Sequence, residues 1–259
     1  MQYGPTRIRE CPHCGVMIGE ATLLSGNTLG GVLWTDGKME APMLPDMPPA
    51  VICPSCHCGF LWRDAKDHGE SSGKERVWSL MGMLFAVAAA ISWLVLQQLA
   101  LPVSLLAAAG AVILVRKLIS PAPSQPLAPT ESTYLELAKR VDLEPAEELD
   151  LRVRALWAAN DPSRRPSPEA QIVDASPAQR DNLHVLLEIL DPKDDNQRLM
   201  IAHIYRQLGQ FEECIRLLAG KFKTDRLAEK AAFVQDLARG REWAVRPFPS
   251  GDPDWARGS

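Results

Sequence analysis

The chain has 259 residues, a net charge of −4, 46% hydrophobic residues and six cysteines. That length holds one or two small domains, each of which needs a staple or a largely helical build to be stable alone. Residues 1–76 carry 7 Lys+Arg against 9 Asp+Glu, so the broad basic footprint of a nucleic-acid binder is excluded there.

Arg7 and Arg9 are followed by Glu10-Cys11-Pro12-His13 and not by an apolar core, so no secretory signal peptide is read. The first candidate site follows at once. Cys11-Pro12-His13-Cys14 and Cys53-Pro54-Ser55-Cys56 are two Cys-Pro-x-Cys knuckles. Two such pairs bring four thiolates around one ion, and without a signal peptide the pattern favours metal over disulfides. Cys11, Cys14, Cys53 and Cys56 are therefore the expected ligands of a structural Zn2+. Iron fits a four-thiolate set as well, and Cys58 leaves open a register in which it replaces Cys56. Between the knuckles, Gly31-Val32-Leu33-Trp34 leads into Asp36-Gly37, read as a two-residue hairpin turn with positive φ at both positions. Val51-Ile52 and Phe60-Leu61-Trp62 flank the second knuckle as strands.

These features resemble a zinc-ribbon or rubredoxin-like module with an enlarged hairpin. The run from Ser25 to Pro45 is similar to the N-terminal region of a group of bacterial membrane proteins without an assigned activity. That resemblance implies a domain at 1–62 and nothing about activity. Cys-Pro-His-Cys also resembles the active-site tetrapeptide of a disulfide oxidase with a thioredoxin fold. Only ten residues precede it here and no βαβ pattern surrounds it, which weighs against thiol redox chemistry.

Residues 63–76 are polar and Gly/Ser-rich and are read as a flexible linker, with His68 a plain linker residue. Residues 77–115 contain no charged side chain. A helix of that length reaches about 58 Å against a hydrocarbon core of about 30 Å, so one span is too few. With Gln97, Gln98 and Pro102 as turn material, the run predicts a transmembrane hairpin within 77–117, with helices at 77–96 and 99–115. The lipid bilayer is then a partner. Lys74, Arg76, Arg116 and Lys117 flank the run, which predicts a multi-pass protein of a bacterial inner membrane with both termini cytoplasmic. Residues 118–131 are Pro-rich and are read as an extended spacer that holds the last domain off the bilayer.

Residues 132–245 are read as all-α. Thr130 or Ser132 caps a helix that runs through Val141, Leu149 to Trp157 carry a second, and Asn160-Asp161-Pro162 is a break. Ser176-Pro177 starts a third helix that ends at Asp191-Pro192, and a fourth starts near Asn196. His184 and His203 are read as polar-face or satisfied core residues. Ala202, Tyr205, Gly209, Phe211, Cys214 and Ile215 then match the spacing of a helix pair with a glycine turn. This stretch resembles a tetratricopeptide repeat, although Arg198 stands where a large apolar residue is usual and Trp243 where the next glycine falls. The resemblance implies that Gly209→Val clashes in the turn, and that Arg198 and Gln207 on the inner helix contact a protein partner. Residues 246–259 are read as a disordered tail.

The expected fold class is a multidomain membrane protein: a small β zinc-ribbon domain, a transmembrane α-helical hairpin and an all-α tetratricopeptide-like domain. Both module types resemble families that bind proteins, which implies a membrane-anchored adaptor or assembly factor. A membrane-tethered nucleic-acid-binding regulator and a thiol-redox enzyme are the alternatives. No paired carboxylates, phosphate loop or Ser-His-Asp spacing marks a reaction.

Overall fold

A computed structural model describes residues 1–71, 123–164 and 176–249. The first part is built of short antiparallel strands. β2 (Thr6–Glu10) lies between β3 (Met17–Glu20) and β9 (Lys66–Ser71), and β1 (Gln2–Tyr3) pairs with β4 (Leu23–Ser25). β5 (Val32–Leu33) pairs with β6 (Met39–Glu40), and β7 (Ala50–Ile52) with β8 (Gly59–Leu61). A 3-10 turn, Trp62–Asp64, leads into β9. Part of the supposed linker is therefore a sheet edge, and His68 Nε2 lies 2.7 Å from the Glu10 carboxylate across it.

The membrane part of the expected architecture is corrected. No helix among the described residues is long and apolar enough to cross a membrane. The longest, Pro145–Arg164, carries Glu147, Glu148, Asp150, Arg152, Arg154, Asp161 and Arg164, charges that hydrocarbon does not accept. The fold class is thus small β sheets followed by a helical part. The run 77–115, on which the hairpin, the multi-pass inner-membrane localisation and the cytoplasmic termini rested, lies outside the described residues.

The helical part starts with α1 (Glu131–Leu137), capped by a reciprocal pair of hydrogen bonds between Thr130 and Thr133. It stops before Val141, which is fully exposed. α2 (Pro145–Arg164) passes through Pro162, where a break was expected. Proline removes an N–H donor there, but Arg164 closes the last turn from its side chain, donating to Trp157 O at 2.7 Å and to Asp161 at 2.5 Å. α3 (Pro177–Ile189) is capped by Ser176, α4 (Asp195–Gln207) by Asp194 and α6 (Asp225–Arg239) by Thr224. α5 (Phe211–Leu218) lies between the last two and buries Cys214 and Leu218 against Ala231, Val234 and Ala238.

Gly209 ends α4 at a φ of 74°, with Gly209 N bonded to Arg206 O and Gln210 N to Tyr205 O. This is a Schellman cap. A Cβ at Gly209 would meet nothing within 4 Å, so the expected clash does not exist. The requirement is conformational: a left-handed residue with a side chain costs about 1–2 kcal/mol. Gly209→Val should lower stability by about that amount, with Gly209→Asn closer to wild type. Thermal unfolding of both variants checks this. The same cap recurs after α6 with Arg241 in the glycine's place, at a φ of 54°.

The two parts share a core. Ala50 and Leu61 of the β part are buried with Tyr134, Leu137 and Ala138 from the α1 region and Leu151 and Ala155 of α2. The Pro-rich segment is not a free spacer. Ser124 exchanges hydrogen bonds with Met17 and Gly19, and Leu127 with Ile52, at 2.9–3.1 Å. Residues 246–248 are not tail-like either. Arg246 and Thr35 exchange bonds, and Phe248 N donates to Leu33 O at 2.8 Å, so this segment bridges the β5 edge of the hairpin at Trp34 and Pro247.

That hairpin is the clasp. Its register pairs Val32 with Glu40 and Leu33 with Met39, and Trp34 N donates to Lys38 O at 2.9 Å, which leaves Thr35, Asp36 and Gly37 as a three-residue loop. Only Gly37 has positive φ, so the two-residue turn expected from Asp36-Gly37 does not form. The loop tip enters the helical part. Asp36 is fully buried, its carboxylate accepting from Asn160 Nδ2 at 2.9 Å and from Arg164, whose side chain is also fully buried. Asp36 O accepts from Trp157 Nε1 at 3.0 Å.

Candidate metal centre

Each knuckle is the loop of a β hairpin, and the two are built alike. In the first, Gly15 N donates to Cys11 O and Cys11 N to Val16 O, both at 3.0 Å. In the second, His57 N donates to Cys53 O and Cys53 N to Cys58 O, again at 3.0 Å. The loop closes through a left-handed residue in both cases, Gly15 at 73° and His57 at 58°. Proline after the first cysteine of each pair fits the turn that follows, and Ser55 N points at Cys53 Sγ at 3.4 Å.

The knuckles face each other. Cys14 Sγ lies 3.6 Å from Cys53 Sγ, and Cys11 Sγ lies 3.8 Å from Cys56 Sγ. All four sulfur atoms fall within 4.8 Å of one another. A disulfide needs about 2.05 Å, so these are not bonded pairs. Metal–sulfur bonds of about 2.3 Å in a tetrahedral site place the sulfur atoms roughly 3.8 Å apart. The observed spacing has that size, and the four cysteines can hold one metal ion. The inner side is sealed by Ile18, Val51, Phe60 and Ala65, with Cys11 and Cys53 buried among them, while Cys14 is exposed.

The match between knuckles decides the register that the sequence leaves open. Cys58 occupies the position of Val16, on the strand side of the loop, and is not among the four clustered sulfurs. It is exposed, with Sγ 3.6 Å from Cys56 O. Cys58→Ser should leave metal content and melting unchanged, whereas Cys56→Ser should lose the metal; elemental analysis of the two proteins separates the registers.

Electrostatics at the centre oppose a free reactive thiol. Burial pushes the Cys11 thiol up to about 12. A redox nucleophile needs the opposite shift, from a helix N-terminus or a nearby cation. Here both pairs sit in hairpin loops. A bound cation reverses the balance, because coordination deprotonates the thiol outright.

The other two expected site residues are not brought together. Arg198 donates to Lys221 O at 2.7 Å, pairs with Asp195 at 3.0 Å and lies over the Phe222 ring at 3.7 Å. The guanidinium stacks on the ring where the repeat pattern has a large apolar residue. Gln207 donates to Asn160 Oδ1 at 2.6 Å. Both side chains serve internal contacts.

Sequence reasoning missed the buried polar group around the clasp: Asp36, Asn160, Arg164 and Arg206. Arg206 is fully buried, donating to Glu242 O at 2.9 Å and Ala244 O at 2.8 Å, and burial lowers its pKa to about 10. His203 beside it is fully buried. Burial, with the Arg206 and Arg164 charges, holds its pKa well below the ordinary value, so the ring is neutral. No local pattern marks these residues, since the bonds that tie them to the clasp and to the segment after α6 span 36 to 128 positions. No protein-family model, curated protein or solved structure matches the chain. The chemistry of the cysteine cluster therefore rests on its own geometry.

Proposed function

We propose that the chain is a zinc-stapled, non-catalytic binding protein, an adaptor or assembly factor whose β part is held together by Zn2+ on Cys11, Cys14, Cys53 and Cys56. One observation supports this above all: four sulfurs from two matched knuckles at tetrahedral spacing. When bound, the ion supplies cross-linking of two hairpins. Four thiolates complete a tetrahedral set and leave no open position for a substrate, which marks structural sites. The adaptor half of the reading draws on the α4–α5 helix pair with its Gly209 cap, which resembles the repeats that bind protein partners. Cys11, buried and pushed up to about 12, gives no support to the thiol-redox alternative.

The test is metal analysis of the purified full-length chain with thiol titration. One zinc per chain, with Cys58 alone titrating freely, Cys214 shielded by burial and the other four thiols protected until a mercurial releases the metal, is the expected result. A colourless chain without metal, or a melting temperature unmoved by strong chelation, refutes the zinc staple. For the adaptor role, partners captured by the wild-type chain should be lost with Cys11→Ser; capture independent of the cysteines removes the β part from binding.

A further inference from the structure

A second cleft lies on the helical part, away from the cysteine cluster. It has a volume of about 620 Å³ and opens between the end of α2, the start of α3, the α4–α5 turn and the segment after α6. Ligand sites fall in this size range. Its lining differs in kind from the rest of the surface. Arg180, His184 and Arg241 line it, and among the described lining residues there is no carboxylate. In a chain of net charge −4, a cleft whose described lining carries two arginines and no carboxylate attracts anions. Glu212 lies 3.7 Å from Arg241, and both side chains are about three-quarters exposed. Water screens that contact strongly.

The aromatic lining narrows the ligand. Phe211 and Trp243 line the cleft, and the Arg241 guanidinium lies 5.9 Å from the Phe211 ring centre. Arg241 also occupies the left-handed cap position that glycine fills after α4, although Gly240 stands one residue earlier. Backbone strain of this kind collects at ligand sites.

We propose that this cleft binds a mononucleotide. The arginines take the phosphate as charge-assisted donors, and the aromatic side chains stack on the base. An anion without a ring leaves the aromatic faces unused, and a nucleoside leaves the arginines unpaired.

Calorimetric titration of the full-length chain with AMP, GMP, CMP and UMP tests this, with adenosine and inorganic phosphate as the two halves of the ligand. At least one mononucleotide should bind with a Kd below about 1 mM, at least tenfold tighter than either half alone. Arg241→Gly removes the side chain and relieves the backbone, so it should melt at or above the wild-type temperature and yet bind about tenfold more weakly. Arg180→Gln should weaken binding similarly. The proposal is overturned if no mononucleotide binds below 1 mM, if adenosine or phosphate binds as tightly as the nucleotide, or if Arg241→Gly binds like wild type.

Discussion

Replacing Cys53 by Ser should leave the purified chain without metal and unfold both knuckle hairpins. The inner face of the β part holds few buried side chains: Cys11, Ile18, Val51, Cys53, Phe60 and Ala65. At about 25 cal/mol per Å² of apolar area, a cluster of that size cannot offset the ordering of some seventy residues, at about 1.5 kcal/mol each. A structural zinc contributes on the order of 10–16 kcal/mol of apparent binding energy, which is folding energy when the unfolded chain has no site. Loss of one buried thiolate removes most of it. The damage should spread, because Ala50 and Leu61 are buried with Tyr134 and Leu151 of the helical part. NMR spectra of the variant should therefore lose the dispersed strand signals and shift those of α1. Acid should mimic the mutation. Binding must displace thiol protons, and burial holds that of Cys11 up to about 12, so affinity falls as pH falls and the metal leaves in acid. A Cys53→Ser chain that keeps its metal and wild-type melting would end the staple reading.

Arg164→Met should destabilise the chain by about 3–5 kcal/mol, the cost of leaving a buried charge without its partner. Asp36 and Arg164 are both fully buried, and no water can take over from the guanidinium. The cost should not come from lost packing, since Met retains most of the stem. Adding Asp36→Asn to Arg164→Met should recover a large part of the deficit at neutral pH, because an amide carries no charge to desolvate. The sign with pH follows from the same burial. Burial raises the Asp36 carboxyl above its ordinary value, against the lowering pull of Arg164, Asn160 and Lys38. A raised group lends stability while protonated, below its ordinary value, and that stability is lost as pH rises through the raised one. Without Arg164 the rise is larger, so the deficit of Arg164→Met should grow from mildly acidic pH to neutral. Chemical denaturation at several pH values measures it; a variant within 1 kcal/mol of wild type at every pH would show that the clasp does not hold the two parts together.

The knuckles are legible because their information is local. Cys-Pro-x-Cys names its ligands and its turn, and two copies imply that four sulfurs meet. Helix starts are legible for the same reason: Thr130, Ser176 and the Asp194 cap beside Asn196 act within one turn of the residues they satisfy. Gly209 marks a helix end in sequence, but only its φ of 74° and the open space around it show that conformation, not crowding, requires glycine.

Composition misled wherever distant backbone supplied the partner. Residues 66–71 look like a Gly/Ser linker, yet β2 offers them a free edge and they become a strand. The Pro-rich segment lacks donors at its prolines but uses Ser124 and Leu127 to pair with β3 and β7. Arg246 and Phe248 read as tail until the β5 edge is placed beside them. By itself the sequence determined the four-sulfur set, the helical character of the C-terminal part and the caps at Thr130 and Ser176, because each depends on residues a few positions apart. Tertiary structure alone decided that Asp36 is a clasp and not a turn residue, that Gln207 and Arg198 face inward, and that the two parts share a core. Those outcomes depend on desolvation and on partners up to 128 residues away, and no local pattern encodes either.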